Sequence, residues 1–176
     1  IDIAEMALML ASLDLPKNKL KPYRRHLDSI SFDLGLAAKK ENHIHGMVAA
    51  INEVLFGMHG YSGDTEAFND MQNANIMRVI DRRKGLPVAL GILIIHIARA
   101  QDWEVTGVNF PGYFLVRITH EGEQALIDPF KRAKRLKIEN VKRLITLMQG
   151  PGAKLQPRHL QSINDREILL RLQNNI

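Results

Sequence analysis

Cysteine is absent from the chain. Without a thiol there is no thiolate nucleophile, no disulfide framework and no zinc site built on thiolates, so cysteine proteolysis and thiol transamidation are excluded outright. Long hydrophobic runs are missing as well. The longest apolar stretch, Pro87 to Ala98, falls well short of the roughly 20 residues that cross a bilayer, and no basic-then-apolar leader opens the chain. A soluble, cytoplasmic protein is expected. There is no glycine-rich phosphate loop of the Walker or dinucleotide type and no internal repeat, and no cofactor is expected. The chain begins at Ile1 rather than Met and stops inside a helical pattern, which suggests a fragment of something longer.

What is present fits one ordinary domain. A length of 176 residues with 45% hydrophobic content is enough to bury a core without disulfides or metals. The net charge of +5 is modest, but Lys131, Arg132, Lys134, Arg135, Lys137, Lys142 and Arg143 fall close together with Glu139 as the only acid among them. Such a run is either a solvated helix face or a surface that attracts nucleic acid or an acidic protein.

Hydrophobic periodicity divides the chain into a helical first half and a strand-rich second half. Asp2 is placed to cap a helix over 3–13, with Ile3, Met6, Ala7, Leu10 and Leu13 on one face. Leu20, Tyr23, Leu27, Ile30 and Leu34 predict a second helix over 18–39 with a break near Ser31, and Val48, Ile51, Val54 and Leu55 a third over 44–58. After a loop rich in glycine, a short helix over 76–83 is stopped by Gly85. Pro87 suits the first position of the next helix, 88–101, which is apolar almost all round and so belongs at the centre of the fold. His96 within it is expected to be a buried, hydrogen-bonded structural residue. Beyond Trp103 the period becomes two, predicting strands at 105–110, 113–119 and 124–127, the last two joined by the turn His120-Glu121-Gly122-Glu123. Helices follow over 138–148 and from Asp165 onward. This is an α+β pattern.

Three motifs stand out: Arg82-Arg83-Lys84-Gly85-Leu86-Pro87-Val88-Ala89-Leu90, Phe110-Pro111-Gly112-Tyr113-Phe114-Leu115-Val116-Arg117 and Asp128-Pro129-Phe130. A nucleophile at the start of a buried helix would be activated by the helix dipole and free N–H groups. The segment Gly85 to Gly91 offers no Ser, Thr, Cys, Asp, Glu, Lys or His for that role, and Pro87 removes one of the N–H groups. If the hairpin pairs Thr119 with Gln124, Leu115 lies opposite Asp128 and Tyr113 sits one diagonal away, within reach of the carboxylate. A phenol of pKa about 10 is a poor base at neutral pH, whereas a Tyr–Asp hydrogen bond is an ordinary clamp. His43 and His45 could share one side of an extended segment but have no third ligand nearby, so no metal site is expected. Asp64 and Asn69 lack calcium-loop spacing.

The segment from about Ile51 to Phe130 resembles the transglutaminase-like domain of the SirB-type family, bacterial proteins in which this domain precedes tetratricopeptide repeats. The resemblance rests on Arg82 to Pro87, Ala98-Arg99, Gly107 to Arg117 and Asp128 to Phe130. It extends to Ile1–Leu13 and to Arg166–Asn175, the latter as the start of the repeats. It implies a papain-like cysteine-proteinase core over 1–163 and a truncated helical region over 164–176. It places Pro87 at the nucleophile, Tyr113 at the histidine and Asp128 at the aspartate of a Cys, His, Asp triad. The family commonly keeps histidine where this chain has Tyr113, and often serine where it has Ala89.

The expected function is that of a catalytically inactive transglutaminase-like domain engaging a protein partner or regulating one. A hydrolase or amidase using Asp128 with Tyr113, or with a histidine such as His96 or His120, is the alternative, and nucleic-acid binding through 131–143 is a second.

Overall fold

In the computed structural model the described residues are 2–66 and 70–174; Ile1, Asn69 and Asn175, which the sequence reading invokes, lie outside them. Helix α1 (Ile3–Asp14) is capped by Asp2, whose Oδ1 accepts the Ala4 and Glu5 N–H groups at 2.8 and 3.3 Å. Its buried face is Ile3, Ala4, Ala7, Leu8 and Ala11, so the expected stripe through Met6 and Leu13 is corrected; Leu13 is 75% exposed. Periodicity favours the bulkiest residues, whereas here a row of alanines brings the helix close to its neighbours. Helix α2 (Leu20–Ala37) runs through Ser31 without the expected break. Helix α3 (Ile44–Ile51) passes directly into a π-helical segment, Asn52–Met58. Expected as one helix, this stretch is two.

A two-residue strand β1 (Ser62–Gly63) pairs in parallel with β2 (Lys84–Gly85), which follows helix α4 (Ile76–Arg82). Helix α5 (Pro87–Arg99) has Pro87 at its first position and buries every residue from Pro87 to Ala98 except His96. Such an all-round apolar helix can only lie inside the protein. It packs against α1, α2 and the sheet. Gly91 lets the Phe114 ring lie against the helix, since a Cβ there would stand 2.3 Å from that ring.

The second half forms an antiparallel sheet from β3 (Glu104–Val108), β4 (Leu115–His120), β5 (Glu123–Asp128), β6 (Lys134–Arg135) and β7 (Ser162–Ile163), in the order β6-β5-β4-β3-β7. The β4–β5 ladder pairs Thr119 with Gln124 as the turn predicted. Glu121 and Gly122, both at positive φ, make the two-residue connection that matches strand twist. Side chains alternate between two cores. Val116, Ile118, Ala125 and Ile127 join the large helical core, while Val108 and Leu115 turn to a smaller one closed by Val141 and Ile145 of α6 (Ile138–Gln149). The sheet is thus covered on both faces. Helix α7 (Asp165–Gln173), assigned from the sequence to a following region, buries Ile168, Leu169 and Leu172 in the large core. Arg99 also holds Asp165 through two hydrogen bonds, at 2.7 and 2.9 Å. No helix among the described residues is long and apolar enough to cross a membrane.

Candidate functional site

The first turn of α5, the turn before β4 and the end of β5 converge. The Pro111-Gly112 turn, with Gly112 at φ +64°, keeps Tyr113 out of the strand, which begins only at Leu115. The expected strand over 113–119 is shortened for that reason. The phenol still reaches Asp128: its hydroxyl donates to Oδ1 at 2.9 Å and Oδ2 at 3.1 Å. Asp128 Oδ1 also accepts the Phe130 N–H at 2.9 Å, capping the short turn Pro129–Lys131. The carboxyl is 6% exposed. Burial pushes its pKa up, opposed by the Tyr113 hydroxyl and the backbone N–H groups. Burial first, and then the Asp128 charge, push the Tyr113 phenol far above its usual value. A hydroxyl held so firmly protonated is a donor and cannot serve as a base near neutrality.

Pro87, which the family resemblance aligns with a nucleophile, is buried at the first position of α5. Leu86, the residue before the helix, makes no side-chain cap, and its N–H is taken by the Asn73 carbonyl at 3.1 Å. A cleft of about 300 Å³ opens here, lined by Leu86, Pro87, Val88, Tyr113, Phe114 and Arg171. The lining offers a hydroxyl already committed to a carboxylate, the Arg171 guanidinium and the apolar side chains of Leu86, Pro87, Val88 and Phe114. Those apolar side chains can receive an apolar group.

Sequence reasoning missed Arg171 because it lies in α7, far along the chain from the motif. Its Nη1 donates to the Phe110 and Tyr113 carbonyls, both at 3.1 Å, and its Nη2 to Asn109 Oδ1 at 2.6 Å. Burial lowers its pKa. The guanidinium thus fastens α7 to the loop that carries Tyr113. The histidines considered as alternatives are engaged elsewhere. His96 Nδ1 is 2.7 Å from Asp2 Oδ1, and His120 Nε2 is 3.0 Å from the Asn42 carbonyl. Among the described residues neither hydrogen-bonds Asp128. His43 Nδ1 accepts the Gly46 N–H at 3.0 Å as the cap of α3.

The profile of the transglutaminase-like superfamily matches residues 21–174. A UPF0162 protein of Vibrio cholerae is 30% identical over 170 residues, 96% of this chain and 63% of that protein. A UPF0162 protein of Pseudomonas aeruginosa is 30% identical over 176 residues, 98% of this chain and 62% of the relative. F-box only protein 21 of Mus musculus is 27% identical over 135 residues, 72% of this chain and 21% of that protein. The chain spans less than two thirds of the length of these relatives. No solved structure matches. A buried helix meeting an antiparallel sheet at the Pro87, Tyr113 and Asp128 positions, together with a match across most of the sequence, leads to one conclusion: the chain belongs to the transglutaminase-like superfamily, with the α+β, papain-like core of that family.

Proposed function

We propose that this is a catalytically inactive transglutaminase-like domain that acts as a protein-interaction or regulatory module, with the cleft beside Pro87 as its contact surface. The observation that carries the reading is the Tyr113 hydroxyl bonded to both Asp128 oxygens. It converts the base position into a donor and spends the aspartate on a static clamp. Proline at the helix start supports it further, since neither an attacking atom nor its N–H is available there. The apolar part of the lining, Leu86, Pro87, Val88 and Phe114, suits an apolar side chain of a partner.

The test compares the wild-type protein with a Tyr113→Ala, Asp128→Ala double variant shown to be folded. Native co-purification from nuclease-treated lysate is run beside a screen for acyl transfer and amide hydrolysis. A saturable protein partner lost only in the variant is expected. Turnover by the wild type that disappears in Asp128→Ala would instead make the domain an enzyme. A second reading, electrostatic attachment to nucleic acid or an acidic protein through 131–143, is supported by the exposure of all seven basic side chains. Among the described residues only Arg135 of these forms an ion pair, with Glu123 at 2.8 Å.

A further inference from the structure

A second polar centre lies away from the triad positions, where α2 meets the end of α4. Arg83, at the left-handed position that ends α4 (φ 57°, ψ 24°), is fixed through one nitrogen. Its Nη1 lies 2.8 Å from the Ile80 carbonyl, 2.8 Å from the Tyr61 hydroxyl and 2.7 Å from His26 Nε2. The guanidinium also sits over the Tyr61 ring at 5.0 Å. Tyr61 and His26 touch each other at 2.8 Å. Two Nη1 hydrogens serve three acceptors, so the Tyr61 hydroxyl completes the set by donating to His26 Nε2. His26 is then a neutral imidazole with its proton on Nδ1.

All these partners of Arg83 are uncharged. It forms no ion pair among the described residues, and its Nε and Nη2 make no hydrogen bond there. A half-buried guanidinium held rigid without a direct ion-pair partner is unusual, because desolvating a cation is costly unless an anion compensates. The free edge of the group, Nε with Nη2, is the fork that matches a carboxylate or phosphate with two parallel bonds. Arg83 lines an open cavity of about 460 Å³, together with Lys19, Tyr23, His26, Asn18 and Asp81. Lys19 brings a second cation. Asp81 is partly occupied by the Tyr23 hydroxyl, which donates to its Oδ2 at 3.0 Å, and its charge disfavours a ligand with several negative groups.

We propose that this cavity is a binding site for a small anion, in which Arg83 grips a carboxylate or phosphate group through its free edge and Lys19 supplies the second charge. The site is separate from the cleft beside Pro87 and does not depend on the interaction reading.

The test is a nitrogen and proton resonance titration of the full chain with sodium acetate and, separately, inorganic phosphate, each against sodium chloride at matched ionic strength. Saturable shifts of the Arg83 Nε–H and the His26 ring in at least one arm are expected, and the arm that saturates at lower concentration tells which anion the site prefers. Lys19→Ala, at an exposed position outside the clasp, should weaken binding roughly threefold, the scale of one solvent-exposed charge interaction. Arg83→Lys, which keeps a cation but not the fork, should abolish saturation while the amide spectrum stays dispersed. Shifts that rise linearly with salt in all three arms, or saturation unchanged in Arg83→Lys, would overturn the proposal.

Discussion

The Tyr113 hydroxyl is the group that engages both Asp128 oxygens, and its removal is measurable. Tyr113→Phe leaves the buried Asp128 carboxyl with its backbone donors alone and should lower unfolding stability by about 1–3 kcal/mol, the cost of an under-satisfied buried acceptor. Urea denaturation at neutral pH measures it, and a loss within error would mean that the clamp contributes nothing. His26 offers a test by pH. Burial, then Arg83 and then His59, lower its pKa from 6.5 to about 4, so the folded state resists a proton that the unfolded chain accepts. Its contribution is therefore complete above about pH 6.5 and disappears as pH falls through 4. The difference should be no more than about 2 kcal/mol, since the ring is partly exposed and screened. A His26→Gln variant should flatten stability across that window; an unchanged profile would show that another group titrates there. The two centres differ in legibility. Tyr113 and Asp128 were readable because a two-residue turn fixes register and register fixes neighbours. His26 comes from α2, while Tyr61 and Arg83 are set side by side by the two-residue pairing of β1 with β2, and no spacing in the sequence announces it.

Among the elements, α5 has the least freedom, and glycine shows where. Gly91→Ala would drive a Cβ into the Phe114 ring and should destabilise the protein by about 1–3 kcal/mol, the usual range for overpacking. Gly57, in the π-helical segment, meets only the Asn52 carbonyl at 3.8 Å. Gly57→Ala should be neutral or stabilising by up to about 1 kcal/mol, because it restricts only the unfolded chain. Thermal unfolding of the pair separates the two situations, and equal losses would contradict the packing described for α5. The buried character of α5 was legible from its unbroken apolar run. The switch at Ile51 from α to π winding was not, because hydrophobic spacing marks which face is buried and is blind to which carbonyl each N–H selects. The short β7 escaped for a related reason. Its partner is β3, with Gly107 facing Ile163, and a two-residue ladder leaves no period to detect.

For the whole molecule the sequence pointed to helices followed by an antiparallel sheet, and the covered sheet bears that out. What it could not convey is that α7 closes the same core. Deleting residues 164–174 would uncover the surface on which Ile168, Leu169 and Leu172 rest and release the Asp165 and Arg171 contacts. The truncated chain should melt well below the intact one and bind a hydrophobic dye, whereas an unchanged melting curve would make α7 an appendage. The basic surface over 131–143 is likewise a property of the assembled fold. Any nucleic acid it holds should dissociate steeply as salt rises, with a slope set by the number of phosphates neutralised; binding insensitive to salt would rule out this surface as the cause. The tie made by Arg171 has one more consequence. It grips the loop mainly by carbonyl oxygens, which every amino acid presents, and so it is indifferent to which side chain occupies position 113. Substitution at that residue, including a change from tyrosine to histidine, can proceed without loosening the anchorage, which leaves position 113 free to vary on a fixed loop.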